Sequence, residues 1–429
     1  MMEIQFEVKR FIFRYVALLS VLFMANGSFA QVGNKDFIDV VRPSKSDTLV
    51  KVTPPLVVGK TYYSILPVIG YGPAFGFLAG GAVSITKLLG EAPTKASSAL
   101  VNFQVTTKNQ FILNARSKLY LKENKWFVQG DWRLLLYSQP TYGLGINQSD
   151  ADKGIAEING DVTSTVLTPE PMKFKQVRFF EEAARKLGNS DFYAGIGVAI
   201  DQHFLIEDQL LDTVATSPDY FITSHYAYSK KTGFNPTGYG TNGIKLSILT
   251  DTRDNISNAY KGYYASISLV NNLKIGTNSE QSIQLLYDGR YYLGVSKLNP
   301  RQVVAFWSFG TFLLAGNMPY LALPSIGWDT YNRSGRGYIQ GRYRGLNMLY
   351  NEAEYRFPIS KSGLFGATLF VNSTNASSYY KDLFYNTAIG YGAGLRMQMD
   401  KRARTNLTVD VGMAEKKYGG IYFNLQEAF

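Results

Sequence analysis

The chain has no cysteine and only two histidines among its 429 residues. Without cysteine, neither a disulfide framework nor a thiolate metal site can form. Ser224 and His225 are adjacent in sequence but do not match a recognisable nucleophile motif. No glycine-rich phosphate loop follows a strand and opens a helix, and no metal-ligand spacing occurs. We therefore expect no enzymatic activity, no cofactor and no metal site.

Uninterrupted apolar runs of membrane-spanning length are also missing from the body of the chain. Residues 61–86 and 302–328 carry no charge, but proline and glycine interrupt both stretches. Either residue is costly in a helix interior. Two strands joined by a turn at Gly72-Pro73-Ala74 explain the first stretch better, and a strand that runs into a loop explains the second. The sequence predicts no membrane-spanning helix.

The amino terminus has the pattern of an export signal. Lys9, Arg10 and Arg14 precede an apolar run over residues 15–25, and Ser28-Phe29-Ala30 offers small residues for cleavage. This pattern predicts a secretory signal peptide over residues 1–30, cleaved after Ala30. A membrane anchor is the alternative, but the apolar run is short for a spanning helix. The expected domains are the signal peptide (1–30), a short periplasmic segment (31–60) and a β-barrel (61–429).

The net charge is +11, and aromatic residues make up 14% of the chain. A basic chain can bind nucleic acid, but no basic run or nucleic-acid motif is present. Anionic lipid head groups suit an exported chain better. The 30 tyrosines and 40 glycines are typical of the aromatic girdles and glycine-rich strands of outer-membrane barrels. We expect outer-membrane lipids as partners and no nucleic acid.

Apolar and polar residues alternate with a period of two along much of the chain. In residues 126–137, Trp132, Leu134 and Leu136 fall on one face, whereas Asp131 and Arg133 fall on the other. Residues 282–293 and 406–411 alternate in the same way. Strands with one apolar and one polar face indicate a transmembrane antiparallel β-barrel. A soluble β-sandwich is the alternative.

We predict an all-β fold of about sixteen strands. Their approximate ranges are 64–71, 75–88, 96–106, 110–121, 125–138, 173–186, 190–204, 241–251, 262–273, 281–293, 302–315, 346–357, 363–372, 385–398, 404–412 and 418–428. The long gaps at 139–172, 205–240 and 316–345 follow odd-numbered strands, as expected when long loops face outward and short turns face the periplasm. Residues 179–186 have helix-forming composition, so strand and helix both remain open there. A strand is favoured because only then do the long loops all follow odd-numbered strands.

One segment gives most of the sequence evidence for a function. Arg336, Gly337 and Tyr338 form a triplet in a predicted loop, and the following strand places Glu352, Glu354 and Arg356 on one face. With a turn that contains Asp251, Arg253 and Asp254 and is followed by Gly262, this pattern resembles the BamA/TamA family of outer-membrane assembly and secretion pores. The turn also has a plainer interpretation as a periplasmic turn in which Asp and Asn bond their own backbone.

The resemblance implies roles for several residues. The triplet would lie at the tip of a sixth outer loop that folds back into the barrel, where the Arg336 guanidinium would bind the Glu354 carboxylate and so clamp the loop. A solvated loop arginine is the alternative. In the family a Phe-x-Asp-x-Gly run supplies a second acid. Here Asn372 replaces that acid, which implies a weaker clamp. Tyr422 and Phe429 resemble the terminal signal that is read by the insertion machinery.

The resemblance also implies a location and a function. It implies an integral protein of the Gram-negative outer membrane that assists insertion or translocation of proteins or lipids, with a possible periplasmic or lipoprotein partner. Family members usually carry periplasmic POTRA modules, each longer than residues 31–60, so we expect a short member without them. A passive porin or structural barrel is the alternative function, and a barrel enzyme is a third class.

Overall fold

A computed structural model describes residues 33–41, 55–72, 76–146, 169–276, 278–330, 332–377, 386–414 and 419–429. The predicted signal peptide and its cleavage site lie outside these residues. The strands are β1 Thr61–Gly72, β2 Gly76–Leu88, β3 Ala96–Thr106, β4 Phe111–Tyr120, β5 Trp126–Thr141, β6 Glu170–Lys186, β7 Phe192–Asp208, β8 Gly238–Asp251, β9 Gly262–Asn272, β10 Ser282–Gly294, β11 Val303–Gly316, β12 Asn347–Pro358, β13 Phe365–Ala376, β14 Ala388–Asp400, β15 Thr405–Ala414 and β16 Gly419–Leu425.

The strands form one antiparallel sheet in which each strand pairs with the next along the chain, from β1 to β16. The predicted all-β fold and its sixteen strands are confirmed. Residues 179–186, left open between strand and helix, belong to β6. Among the described residues, no helix is long and apolar enough to cross a membrane.

Alternation along the strands separates a lipid-facing surface from an inward surface. In β5, Trp132 is 46% exposed, whereas the neighbouring Asp131 and Arg133 are 4% and 3% exposed. Because successive side chains of a strand point to opposite faces, the charged residues line the interior and the apolar ones face outward. A polar interior and an apolar outer surface, the reverse of the arrangement in a soluble protein, are what a membrane-spanning barrel requires.

The longest connections follow β5, β7 and β11, as predicted. The connection after β7 contains helix α2, Ser224–Thr232, which begins at the capping side chain of Thr223 and ends at Gly233, whose φ is 83°. Side chains from α2 pack with the sixth outer loop (residues 317–346) in a hydrophobic core, through residues such as Tyr228 and Tyr320. These outer loops therefore pack on one another at the outer end.

In the part of the chain that the structure describes, the first and last strands do not pair with each other. The order of paired strands runs from β1 to β16 and does not return to β1. We call this junction the seam. The last strand ends at Leu425, earlier than the predicted residue 428, since Gln426 has a φ of 78° and turns the chain. The Gln426 side chain crosses the seam and donates to the hydroxyls of Ser84 and Ser98 at 2.8 and 3.2 Å.

Residues 33–41 lie against the periplasmic turns. The backbone N–H groups of Gly33 and Lys35 donate to the carbonyls of residues 361 and 362. Asp36 and Asp39 cap helix α1, Phe37–Val41, by accepting from one another's N–H groups, which is the reciprocal arrangement of a capping box. Asp36 also accepts from the N–H of Lys401 at 2.9 Å, and burial raises the pKa of its carboxyl. This segment is therefore fixed to the turn between β14 and β15.

Candidate functional site

The inward face of β12 presents the carboxylates that meet the loop arginine. The register of β12 buries Glu352 and Glu354 on the same side. Arg336, from the sixth outer loop, is only 2% exposed and forms ion pairs with Glu352 at 2.5 Å, with Asp410 of β15 at 2.7 Å, and with Glu354. Its guanidinium also lies 3.7 Å from the ring centroid of Phe370. A cation enclosed in this way is held by charge-assisted bonds and by an aromatic face.

Two further arginines share these acids. Arg356 donates to Glu354 at 2.6 Å. Arg396 pairs with Asp410 at 2.5 Å and with Glu427 at 2.8 Å. We call the whole set the charge network, which comprises Arg336, Glu352, Glu354, Arg356, Arg396, Asp410 and Glu427. Because opposite charges alternate along it, most of its buried charges have more than one partner.

The backbone of the triplet is held separately from its arginine side chain. Asn372 donates to the carbonyl of Arg336 at 3.0 Å. The Tyr422 hydroxyl accepts from the N–H of Gly337 at 2.9 Å and donates to the carbonyl of Tyr338 at 3.1 Å. The Tyr338 hydroxyl in turn donates to a carbonyl of β14. The loop tip therefore contacts strands from β12 to β16.

Glycines make room for this close approach. A Cβ at Gly412 would lie 2.5 Å from the nitrogen of Gly337, and one at Gly390 would lie 2.6 Å from the carbonyl oxygen of Arg336. Gly337 itself has a φ of 113°, a conformation that residues with a side chain rarely adopt. Backbone meets backbone at these points, and a side chain at any of them would displace the loop.

The structure places the predicted partners of the triplet as follows. Arg336 meets Glu354, as the resemblance implies, but Asn372 bonds to its carbonyl rather than to its guanidinium. Sequence reasoning missed Glu352 and Asp410 as partners. Asp410 of β15 supplies a further carboxylate to the Arg336 guanidinium at 2.7 Å, and the weaker clamp expected from Asn372 stays a prediction. The only sequence signal for Asp410 is its position on the polar face of β15. The clamping role of these residues remains a prediction.

Two neighbouring arginines of the loop have different surroundings. Arg344 donates to the carbonyls of Tyr320, Leu321 and Leu323, and therefore folds the loop onto itself. Arg342 lies 4.3 Å from the ring centroid of Tyr142. The structure brings Arg336 alone of these three into the charge network.

The turn between β8 and β9 packs inward at the periplasmic end. Asp251 is 4% exposed, pairs with Arg253 at 2.6 Å and accepts from the Tyr120 hydroxyl at 2.6 Å. Asp254 accepts from two N–H groups of its own turn and pairs with Arg404 of the β14–β15 turn at 2.7 Å. Gly262, with a φ of 99°, closes the turn. These residues therefore bond their own backbone and also reach other elements.

The carboxyl-terminal residues turn inward. Phe429 is 5% exposed and lies 5.3 Å from Trp307 between ring centroids. Its carbonyl accepts from Arg356 at 3.3 Å. Tyr422 faces the loop triplet from β16. Whether Tyr422 and Phe429 act as an insertion signal remains a prediction.

A cavity of about 290 Å³ lies inside the barrel, lined by strands from β3 to β11, by the sixth outer loop and by Gln426. Side chains of both signs line it, including Arg178, Lys245, Asp131 and Glu182. The interior is therefore polar, and ion pairs such as Arg178 with Asp201 at 2.5 Å cross between its strands.

Comparison with known proteins identifies the family. The sequence profile of the Omp85 superfamily domain matches residues 211–429, which include β8 to β16 and the whole charge network. No curated protein matches the chain at a significant level.

Two solved structures of CdiB share the fold, and a structure of BamA is similar at a lower TM-score. CdiB from Acinetobacter baumannii is 13% identical, with a TM-score of 0.50 over 85% of this chain and 59% of that chain. CdiB from Escherichia coli is 10% identical, with a TM-score of 0.51 over 85% of this chain and 62% of that chain. BamA from Haemophilus ducreyi lacking POTRA domains 1–3 is 14% identical, with a TM-score of 0.47 over 86% of this chain and 69% of that chain.

The chain spans about 60% of the length of the two CdiB structures, and at these identities the likeness concerns the fold alone. The profile match covers more than half of the chain, and the sixteen-stranded sheet has the lipid-facing surface of a membrane barrel. The chain is therefore an integral outer-membrane β-barrel of the Gram-negative type and belongs to the Omp85 superfamily.

Proposed function

We propose that this barrel assists the insertion or translocation of proteins at the outer membrane by opening sideways at the seam. The observation that carries the proposal is the seam itself, where β1 and β16 are not paired among the described residues. A free strand edge can pair with an incoming strand. In β1, Pro67 lacks the N–H that a neighbouring strand would need, which keeps this edge weak.

In the proposed mechanism the sixth outer loop folds into the barrel and holds its last strands. Arg336 pairs with Asp410 of β15, and the loop tip bonds to Tyr422 of β16. Arg333 of the same loop donates to the carbonyl of Leu425 at 2.8 Å. Because these contacts reach the strands nearest the seam, release of the loop would free the last strands to move.

A passive porin would require a permanently open path. We infer that the hydrophobic core of the outer loops and the inward-packed turn at residues 252–261 narrow such a path at both ends. We therefore expect small and flickering currents in planar bilayers. A stable open channel of porin size would favour the passive porin and contradict the proposal.

The seam can be locked chemically because the chain has no cysteine. Ser84→Cys and Gln426→Cys would place the only two thiols on opposite sides of the seam, since these side chains are in contact across it. A reversible thiol crosslinker should then block the folding of an unfolded outer-membrane protein into proteoliposomes that contain the barrel. Reduction of the crosslink should restore that activity in the same sample.

The matched control is Ser84→Cys with Ser98→Cys, which joins β2 to β3 without crossing the seam. Its crosslinking should leave the activity unchanged. Equal activity with the seam locked and unlocked would contradict lateral opening. Equal activity of liposomes with and without the barrel would reject the assembly function altogether.

The proposal also includes a partner protein and the absence of catalysis. We expect a periplasmic or lipoprotein partner to bind the periplasmic end, and copurification from native outer membranes tests this expectation. We also expect no enzymatic activity. Release of fatty acid from phospholipid by the purified barrel would contradict that statement.

A further inference from the structure

A row of polar side chains crosses the lipid-facing surface of the barrel. Ser308 of β11 pairs in register with Asn351 of β12, and Asn351 pairs with Ser373 of β13. Their sequence neighbours Trp307, Glu352 and Asn372 are buried on the inner side, so the three polar side chains point outward. Ser308 and Asn351 belong to the middle third of their strands, where the bilayer is hydrocarbon.

The hydrogen bonds of this row are incomplete. Ser308 donates to the Oδ1 of Asn351 at 2.8 Å, and the Tyr287 hydroxyl lies 2.8 Å from the Ser308 Oγ. No described residue accepts from the Nδ2 of Asn351 or bonds to the Ser373 hydroxyl. Asn351 is exposed. Lipid tails cannot replace those bonds, so the N–H donors of Asn351 are unsatisfied unless another protein covers them.

The surface around the row is concave. A groove of about 710 Å³ includes all three polar residues. Its floor contains Gly289 and Ala353, and Tyr291 and Phe306 stand beside it, 49% and 47% exposed. Small residues between large aromatic ones let another backbone approach closely, as at packed interfaces in membranes.

We propose that this groove binds a second copy of the chain, in a dimer whose two-fold axis runs along the membrane normal through Asn351. Two copies in one membrane share their orientation and depth, so a residue on such an axis meets its own counterpart. A carboxamide is self-complementary, because the Nδ2 of one copy can donate to the Oδ1 of the other while each Oδ1 still accepts from Ser308. The pair satisfies a donor of each Asn351 with no other partner.

A lipid does not fit the same chemistry. The polar atoms of a phospholipid lie in the head group and ester region, outside the hydrocarbon core in which Asn351 lies. A different membrane protein would have to present a matching polar group at this depth, whereas a second copy presents it by symmetry. The second copy is therefore the occupant that the described contacts favour.

Ser373→Cys tests the proposal because the chain contains no other thiol. The full-length variant is placed in phospholipid vesicles at several protein-to-lipid ratios and treated with a short bismaleimide. The control is Val198→Cys, which is also lipid-facing, 42% exposed, and lies on the distant strand β7. Ser373→Cys should give a crosslinked dimer at ratios where Val198→Cys gives none.

A second variant assigns the contact to the amide. Asn351→Leu, added to Ser373→Cys, should lower the dimer yield by about tenfold, the effect expected for two hydrogen bonds within a membrane. Heat-modifiable migration checks that this variant still folds. A yield from Ser373→Cys that equals the control, or a yield unchanged by Asn351→Leu, would overturn the proposal. A crosslink to a different protein in native outer membranes would assign the groove to that partner instead.

Discussion

Removal of the Arg336 side chain tests the charge network most directly. In Arg336→Ala, three buried carboxylates lose a shared cation at once. Breaking a buried ion pair by removing one partner costs about 3–5 kcal/mol. Because Arg336 is only 2% exposed, we expect the free energy of unfolding to fall by an amount in that range, with the sixth outer loop opening first.

The three acids are not equal after that change. Glu354 keeps Arg356, and Asp410 keeps Arg396. Glu352 keeps only the hydroxyl of its neighbour Tyr350 among the described residues. Neutralising Glu352 should therefore relieve most of the damage. We expect Arg336→Ala with Glu352→Gln to recover roughly 1–3 kcal/mol, the cost of an unsatisfied buried group, and Arg336→Ala with Glu354→Gln to recover none.

Two measurements apply to each variant: limited proteolysis within residues 317–346, and urea unfolding in detergent micelles followed by heat-modifiable migration. Arg402→Ala is the control for the loss of one positive charge, because Arg402 is exposed in a periplasmic turn. The reasoning is refuted if Arg336→Ala matches that control. Equal recovery of stability by the Glu352 and Glu354 substitutions would contradict the expected difference between the two carboxylates.

Three other changes test neighbouring contacts. Tyr422→Phe removes a hydroxyl that bonds twice to the loop tip; we expect faster proteolysis of the loop and a loss of about 1–2 kcal/mol in urea unfolding, and an unchanged proteolysis rate would contradict it. Gly412→Ala places a Cβ against the loop backbone and should raise bilayer conductance, whereas Gly81→Ala, with its nearest contact at 3.7 Å, should not. Asp36→Ala removes a cap of helix α1, worth about 1 kcal/mol, and should speed amide hydrogen exchange in residues 33–41; unchanged exchange would contradict the capping role.

The strands were predictable because their alternation is local and repeats along the chain. Residues 179–186 show the limit, since Glu181 interrupts the lipid-facing row and gives the segment a helical composition. In the structure Trp132 donates to Glu181 at 2.9 Å, a cross-strand bond that no local pattern reveals. Loop parity identified this strand when composition did not.

The candidate site was predictable only in part, because its partners are distant in sequence. The pairing of Arg336 with Glu354 followed from the family resemblance. Asp410 lies 74 residues from Arg336, and its partnership depends on how deeply the loop tip reaches towards β15. The turn at Gln426 was also missed, since glutamine rarely adopts a positive φ and gives no local signal for it.

The unpaired seam changes what fixes the width of the barrel. In a closed barrel, a continuous ring of hydrogen bonds sets the circumference. Here contacts across the interior act as struts: Arg336 joins the loop to β12 and β15, Asp254 reaches Arg404, and Ser257 lies 3.4 Å from Ser98 of β3. Widening this barrel requires the loss of these internal contacts rather than the loss of hydrogen bonds between neighbouring strands. A ligand that displaced the turn at residues 252–261 from the periplasmic side would therefore change the diameter of the barrel without contacting its strands.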